Sequence, residues 1–382
     1  MKVAVLGAYQ TKFGELWDKS LADLIYEAGN EAIKDSQIDK KEIQAGFLGN
    51  KLGPQTTGQN HLGALMSEVL DIKVPIVRVE AACASGGVAV AQAVQSIKSG
   101  QYELALVVGA EKMTDVGGEQ IAEALMGAAS EQEHQAGLTF PGLYALIACE
   151  YFVKYGADQR DLAKVAIKNH YHASFNPKAQ FPFTITEKQT QASSEVAWPL
   201  RLLDCSGVTD GAAAVVLASE KIASRFKKNK VFISASCQAS DTLSLDKRTD
   251  ITTLVSTKTA AKLAFLQAGL ERKDVDFIEA HDCFTIAEII ALEDLGFYKK
   301  GQGYLAYRKN ELRLGGKLAV NLSGGLKACG HPVGATGVKQ IVEVYNQLSN
   351  RAEARQSKNA KVALTHNVGG TGGTVVVHIL NK

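Results

Sequence analysis

Two stretches of the chain read as copies of one another, and this repeat constrains the fold more than any other feature of its 382 residues. In the first half an extended run leads through "CASGG" (83–87) into a small-residue helix, and then into the apolar run "ELALVVGA" (103–110). In the second half "KLAVNLSG" (317–324) leads through "CGHPVGATG" (329–337) into "VKQIVEVYNQLS" (338–349), and then into "VALTHNVGG" (362–370). Each half closes on a β-branched run, "AAAVVLAS" (212–219) and "GTVVVHIL" (373–380). Further apolar runs at 3–8, 231–237 and 276–282 alternate with the helical stretches "LADLIYEAGNEAIKDS" (21–36) and "TIAEIIALEDLG" (285–296). Continuous apolar runs are strands covered on both faces. The alternation predicts an α/β fold with largely parallel sheets, and a tandem repeat of such units buries helices between two sheets.

Residues 114–199 match nothing in the second half. They carry polar, irregular chain such as "NHYHASFNPKAQFPF" (169–183), and we expect an inserted, substrate-facing loop domain there. The basic stretch "RFKKNK" (225–230) is the expected linker. The division expected is therefore 1–113 plus 200–226 as one half, 114–199 as the insertion and 227–382 as the other half.

Basic and acidic residues nearly balance, 42 against 40, so bulk charge calls for neither a nucleic-acid nor a membrane partner. No apolar run reaches membrane-spanning length. The first ten residues read as a strand rather than a signal peptide. The six cysteines are scattered without a C-x-x-C, which argues against a zinc site. A cytoplasmic chain with reduced thiols is the expectation.

Cys83 sits where a strand gives way to a helix. The N–H groups and positive dipole of a helix N-terminus favour a thiolate there. Gly86 and Gly87 would admit a ligand or a partner chain close to the backbone. A structural cysteine is the competing reading of this stretch taken alone. Three more clusters bear on it. "EAHDCFTIAEI" places His281 and Cys283 after an apolar run and before a helix, "GGLKACGHPVGATG" places His331 at another helix start, and "THNVGGTGG" is a glycine-rich turn rich in N–H donors. One nucleophile, two imidazoles, a second thiol and a donor-rich turn suit acyl transfer through a thioester. His61, His134, His170, His172, His366 and His378 read as ordinary core or surface residues. Cys149, Cys205, Cys237 and Cys329 read as packing.

These four clusters resemble the active-site motifs of the thiolases, and the resemblance covers essentially the whole chain. It is greatest to the sterol-carrier-protein-type and archaeal branch of acetyl-CoA acetyltransferases, which carries H-D-C-F as here at His281 to Phe284. "GAEKM" (109–113) and "PLRLLDCSGVTDGAAA" (199–214) are similar too. One departure stands out. Better-known thiolases place an acid/base cysteine near the C-terminus where this chain has Asn367, and in the H-D-C-F branch the motif's own cysteine, here Cys283, takes that part.

The resemblance implies a five-layered αβαβα core and ping-pong Claisen chemistry between two acetyl-CoA and acetoacetyl-CoA plus CoA. It makes Cys83 the nucleophile, His331 its base and Cys283 the acid/base for the substrate carbon. It makes His281 and His331 the enolate donors, and the N–H groups of Cys83 and Gly369 the second oxyanion hole. No permanent cofactor and no metal are implied, only coenzyme A thioesters as substrates. A homodimer or homotetramer is expected, with 55–70 as the interface. So is a complex with hydroxymethylglutaryl-CoA synthase and a small OB-fold acyl-CoA-binding protein serving mevalonate synthesis. Lys154, Lys164, Lys168 and Lys178 are the lysines weighed for the CoA phosphate. The other readings are a thiolase for longer 3-ketoacyl chains, a related condensing enzyme and a non-catalytic acyl-CoA scaffold.

Overall fold

A computed structural model describes residues 2–226 and 230–382. Part of the linker expected at 225–230 therefore lies outside the described residues. The ten strands of the main sheet are β1 (Val3–Gln10), β2 (Ala45–Gly49), β3 (Ile76–Val79), β4 (Leu104–Glu111), β5 (Gly211–Ser219), β6 (Val231–Ser240), β7 (Phe277–Glu279), β8 (Ala319–Val320), β9 (Val362–Gly369) and β10 (Thr374–Asn381). Their order is β8-β7-β9-β10-β6-β1-β5-β4-β2-β3. Outward from the centre, the first half runs β1-β5-β4-β2-β3 and the second β6-β10-β9-β7-β8. In each, two antiparallel pairings are followed by two parallel ones. The sequence repeat is thus a structural repeat, strand for strand. The halves join through three antiparallel pairs, Val3–Ile233, Ala4–Phe232 and Val5–Val231.

The helices that follow the two copied turns are α3 (Ser85–Lys98) and α10 (Val333–Leu348), and they pack against each other between the two half-sheets. Their apolar faces share one core with strands of both halves. On the outer face of the first half lie α1 (Leu21–Ser36) and α2 (Leu62–Leu70). On that of the second lie α7 (Val255–Ala268), α8 (Thr285–Asp294) and the short α9 (Gly303–Arg308). The result is five layers, helix, sheet, helix, sheet, helix. A helix between two sheets has no solvent face, and residues 333–345 of α10 are all buried. Its polar members are paired inside, Lys339 with Glu279 at 3.2 Å and Glu343 with Arg355 at 3.0 Å, as buried charges must be.

Helix α1 spans the expected residues because Ser20 and Asp23 form a reciprocal capping box, and Gln37 ends it in the left-handed conformation. Two differences from the sequence reading are informative. The runs at 276–282 and 317–324 supply only the short strands β7 and β8. Their remaining residues leave the sheet, with Asn321 turning at φ 57°. Residues 114–199 are also less irregular than expected. They hold α4 (Gly118–Met126), α5 (Phe140–Tyr155) and α6 (Gln159–Ala173), and α5 and α6 share the outer core of the second half with α8. Their polar residues misled because several are buried and bonded. On α6, His172 Nδ1 lies 3.0 Å from the Asn321 carbonyl, and its Nε2 accepts the Leu314 N–H at 3.1 Å.

Candidate active site

Helices α3 and α10 cross at their N-termini, and glycine makes the crossing possible. A Cβ on Gly86 would lie 2.6 Å from the Gly334 carbonyl oxygen, and one on Gly337 would lie 2.1 Å from the Gly87 nitrogen. What approaches Gly86 and Gly87 is therefore the matching turn of the other half of the same chain, where the sequence led us to expect a ligand or a partner chain. The crossing brings the residues just before each helix together. The Cys83 sulfur and one ring nitrogen each of His281 and His331 lie within 4.8 Å of one another. The two imidazoles meet edge to face, with ring centroids 5.1 Å apart at 88°. Cys283 joins Cys83 and His331 in the wall of one largely apolar cavity of about 280 Å³.

The turn carrying Cys83 is strained and stapled. Ala82 has φ 52°, a left-handed conformation that costs a non-glycine residue about 1–2 kcal/mol. Ser85 holds it, its Oγ accepting the Ala81 N–H at 2.9 Å and donating to the Ala82 carbonyl at 2.6 Å. At Cys283 a backbone bond from a distant segment does the holding, the Ser206 N–H donating to the Cys283 carbonyl at 2.9 Å. Behind the site, Glu111 accepts N–H bonds from Lys51 (3.0 Å), Leu52 (2.8 Å) and Gly334 (2.9 Å), tying the end of β4 to the start of α10. Burial pushes its carboxyl up to about 7 against those bonds.

The resting protonation states follow from burial and hydrogen bonds. Burial pushes the Cys83 thiol up to about 11, opposed by nearby Lys51 and by the amides of Gly370 and Cys83 itself. Burial, aided by the charge of Lys339, pulls His331 down to about 3. At neutral pH the pair is therefore a neutral thiol beside a neutral imidazole. The single proton of that imidazole can be placed. The Thr336 hydroxyl donates to the Pro332 carbonyl at 3.0 Å, so it accepts at its 2.7 Å contact with His331 Nδ1. Nδ1 carries the proton, and Nε2 is a buried lone pair with no partner among the described residues. Cys283 is pushed well above an ordinary thiol by burial first and by the charge of Cys83 second. The Tyr144 hydroxyl acts the other way.

Several cavity residues carried no sequence signal. Tyr144 of α5 stacks on Phe284 with centroids 4.6 Å apart and donates to the Gly370 carbonyl at 3.1 Å. Cys205, expected to be packing, lines the cavity beside Ser206. Gly369 ends β9, where a Cβ would lie 2.5 Å from the Ala81 carbonyl oxygen. The neighbouring Gly370 is the one that reaches the cavity wall. None of the four lysines weighed for the CoA phosphate lines the cavity. Lys154 pairs with Glu150 and Asp250, and Lys168 is buried against Glu288. Lys178 borders a separate cavity of about 530 Å³, where Arg351 and Arg355 are already paired with Asp35 and Glu343.

Residues 3–221 match the family model described as thiolase, N-terminal domain, and residues 237–382 match thiolase C-terminal domain-like. An acetyl-CoA acetyltransferase of Methanothermobacter thermautotrophicus is 46% identical over 383 residues, spanning 100% of this chain and 99% of that relative. Human sterol carrier protein 2 is 34% identical over 98% of this chain and 71% of its own length. Among solved structures, an Ltp2-ChsH2(DUF35) aldolase superposes with TM-score 0.85 at 23% identity, over 99% of this chain and 97% of that one. An acetyl-CoA acetyltransferase from Syntrophomonas wolfei superposes with TM-score 0.78 at 19% identity, over 100% and 99%. These two likenesses carry the fold alone.

Proposed function

The chain belongs to the thiolase family, and on that premise we propose that it is an acyltransferase interconverting two acetyl-CoA with acetoacetyl-CoA plus CoA through an acyl-Cys83 intermediate. The observation that carries this reading is the approach of one thiol and two imidazole nitrogens to within 4.8 Å, with a second thiol in the same cavity wall.

The sequence of events balances its protons. His331 Nε2 takes the Cys83 proton, and the thiolate attacks the thioester carbonyl. The departing CoA sulfur takes the proton of Cys283, leaving acetyl-Cys83 and a Cys283 thiolate. The N–H groups of Cys83 and Gly369, with Gly370 beside them, donate to the tetrahedral oxygen. A second acetyl-CoA enters, and Cys283 removes a proton from its methyl carbon. The enolate attacks acetyl-Cys83, acetoacetyl-CoA departs, and His331 returns its proton to Cys83. A thioester methyl is a very weak acid, so the thiolate needs help from both sides. Burial makes Cys283 a stronger base, and donors from His281 and His331 stabilise the enolate oxygen by about 3–4 kcal/mol each.

The test separates the two thiols. Cys83→Ala abolishes the acetyl adduct seen by mass spectrometry. Cys283→Ala still acetylates at Cys83, more slowly because the departing CoA must leave as its thiolate, but loses exchange of acetyl methyl protons with deuterated water. An adduct on the first variant, or normal exchange by the second, refutes the corresponding role.

The cavity wall favours a second reading. It is built largely from apolar groups such as Met113, Ile121, Leu125 and Phe140, which suits acyl chains longer than acetyl. Thiolysis rates for acetoacetyl-CoA against longer 3-ketoacyl-CoAs decide between them. The remaining parts of the proposal are a cytoplasmic homo-oligomer and the domain division 1–113 with 200–226, 114–199 and 227–382. Oligomerisation is supported by β3, an edge strand paired on one side only among the described residues. No helix among the described residues is long and apolar enough to cross a membrane. The proposal also includes a complex with hydroxymethylglutaryl-CoA synthase and an OB-fold acyl-CoA-binding protein. Purification from the native host tests for it.

A further inference from the structure

Asn367 touches three groups of the site from its place on β9. Its Oδ1 accepts the Gly87 N–H at 3.1 Å. Its Nδ2 lies 2.9 Å from the Cys83 carbonyl oxygen and 3.2 Å from His281 Nδ1. A backbone N–H can only donate and a backbone carbonyl can only accept, so the amide has a single orientation that satisfies both. The two Nδ2 protons then go one to Cys83 and one to His281. Burial, with the charge of His331 next, keeps His281 well below its ordinary value, so the ring is neutral and has one proton. Since Nδ1 accepts from Asn367, that proton is on Nε2. The Nε2 atom is buried and has no partner among the described residues.

We propose that Asn367 is a positioning residue that holds neutral His281 as the Nε2–H tautomer, so that this imidazole serves as a hydrogen-bond donor to developing negative charge beside Cys83. Its counterpart is His331, which Thr336 holds as the opposite tautomer. In the resting protein two imidazoles 5.1 Å apart are thereby given opposite parts, one donor and one acceptor, until His331 Nε2 takes the Cys83 proton and becomes a donor too. The same bond weighs against a metal on Cys83, His281 and His331. A metal on His281 Nε2 would displace its proton to Nδ1, which would then face the Asn367 amide protons.

This inference rests on the thiolase reading for its consequence in turnover but not for the tautomer. The test therefore begins with the unmodified protein. Histidine is labelled with ¹⁵N, the His281 ring is assigned by loss of its signals in His281→Gln, and long-range proton–nitrogen correlation reads which nitrogen is protonated at pH 7. The Nε2–H pattern is expected, and an Nδ1–H or doubly protonated ring overturns the proposal. In Asn367→Asp the group facing His281 becomes an acceptor. The signal then changes to Nδ1–H or to the imidazolium, and methyl-proton exchange falls by about 10²-fold, the loss of one oxyanion donor. Acetylation of Cys83 falls less. Normal exchange in Asn367→Asp with the tautomer changed also overturns the proposal. If the unmodified protein shows the Nε2–H pattern and yet no exchange of acetyl protons, the thiolase reading fails while the positioning role stands.

Discussion

Replacing Gly337 by alanine tests whether the crossing of α3 and α10 sets the geometry of the site. The added methyl would lie 2.1 Å from the Gly87 nitrogen and 2.3 Å from Asn367 Oδ1. The nearer obstacle is backbone, so no rotamer change relieves it. Opening 2.1 Å to the 3.4 Å of an ordinary contact parts the two helices by about 1.3 Å. Overpacking in a dense core typically costs about 1–3 kcal/mol, and the upper end applies because both elements are buried. For a chain of this size about 3 kcal/mol lowers Tm by about 4 °C. The larger effect is on chemistry. Cys83 lies four residues before Gly87, and His331 six before Gly337, so the displacement parts the Cys83 thiol from the His331 imidazole, its proposed base. A misplacement of about 1 Å costs about 10²-fold in rate. Thermal unfolding followed by circular dichroism and a thiolysis assay read the two quantities. Gly127→Ala is the control, at an exposed glycine with φ −58° where the nearest contact is an ordinary 3.4 Å. Unchanged Tm and unchanged thiolysis in Gly337→Ala would refute the reasoning, because the helices would then be free to separate without consequence.

Three more predictions concern protons and charge. Thr336→Val leaves the His331 Nδ1–H without its 2.7 Å partner. It costs about 1–3 kcal/mol in urea unfolding and slows Cys83 acetylation at least about tenfold, whereas an unchanged acetylation rate would free His331 of the need for a fixed tautomer. The acetylation rate is flat from pH 5 to 8, because a base accepts a proton only when unprotonated and His331 is held at about 3. A fall centred near pH 6.5 in rapid-quench measurements would show an ordinary imidazole. Asp210→Ala removes a buried carboxylate that accepts from Lys112 Nζ (2.6 Å) and from the N–H groups of Met113 (2.6 Å), Thr114 (2.9 Å) and Leu16 (3.1 Å), and it destabilises the fold by about 3–5 kcal/mol. Burial alone would raise this carboxyl, but the bonds from Lys112 and Thr114 override it and hold it below the usual range. Its contribution is therefore present at neutral pH and lost as pH falls through the folded value, so the penalty of the substitution shrinks in acid.

Much of this was legible in the chain as written. The tandem repeat is local in character, each copy carrying its own strand, turn and helix signals, so β4, β5, β9, β10, α3 and α10 fall close to where periodicity puts them. The motif residues Cys83, His281, Cys283 and His331 stand out for the same reason, since each sits at a chain break between a run and a helix. Strand β2 gave a weaker signal. It is five residues with glycine at both Gly46 and Gly49, and those glycines answer to neighbours far away in sequence. Residues 114–199 were less legible because a side chain's polarity does not tell where its partners lie, and on α6 His170 and His172 are buried against backbone carbonyls.

The sequence by itself determined the repeat, the strand-to-helix turns and the residue types that those turns present. Only the tertiary structure decided how the two copies meet. The chain gives no sign that Gly337 lies against Gly87, that Asn367 reaches Cys83 and His281 across 284 and 86 positions, or that Tyr144 of the insertion closes the cavity over Gly370. The physical reason is one of range. Hydrophobic period and turn chemistry act over a few residues and are written locally, whereas the proton on each imidazole depends on partners that only packing brings within 3 Å or so.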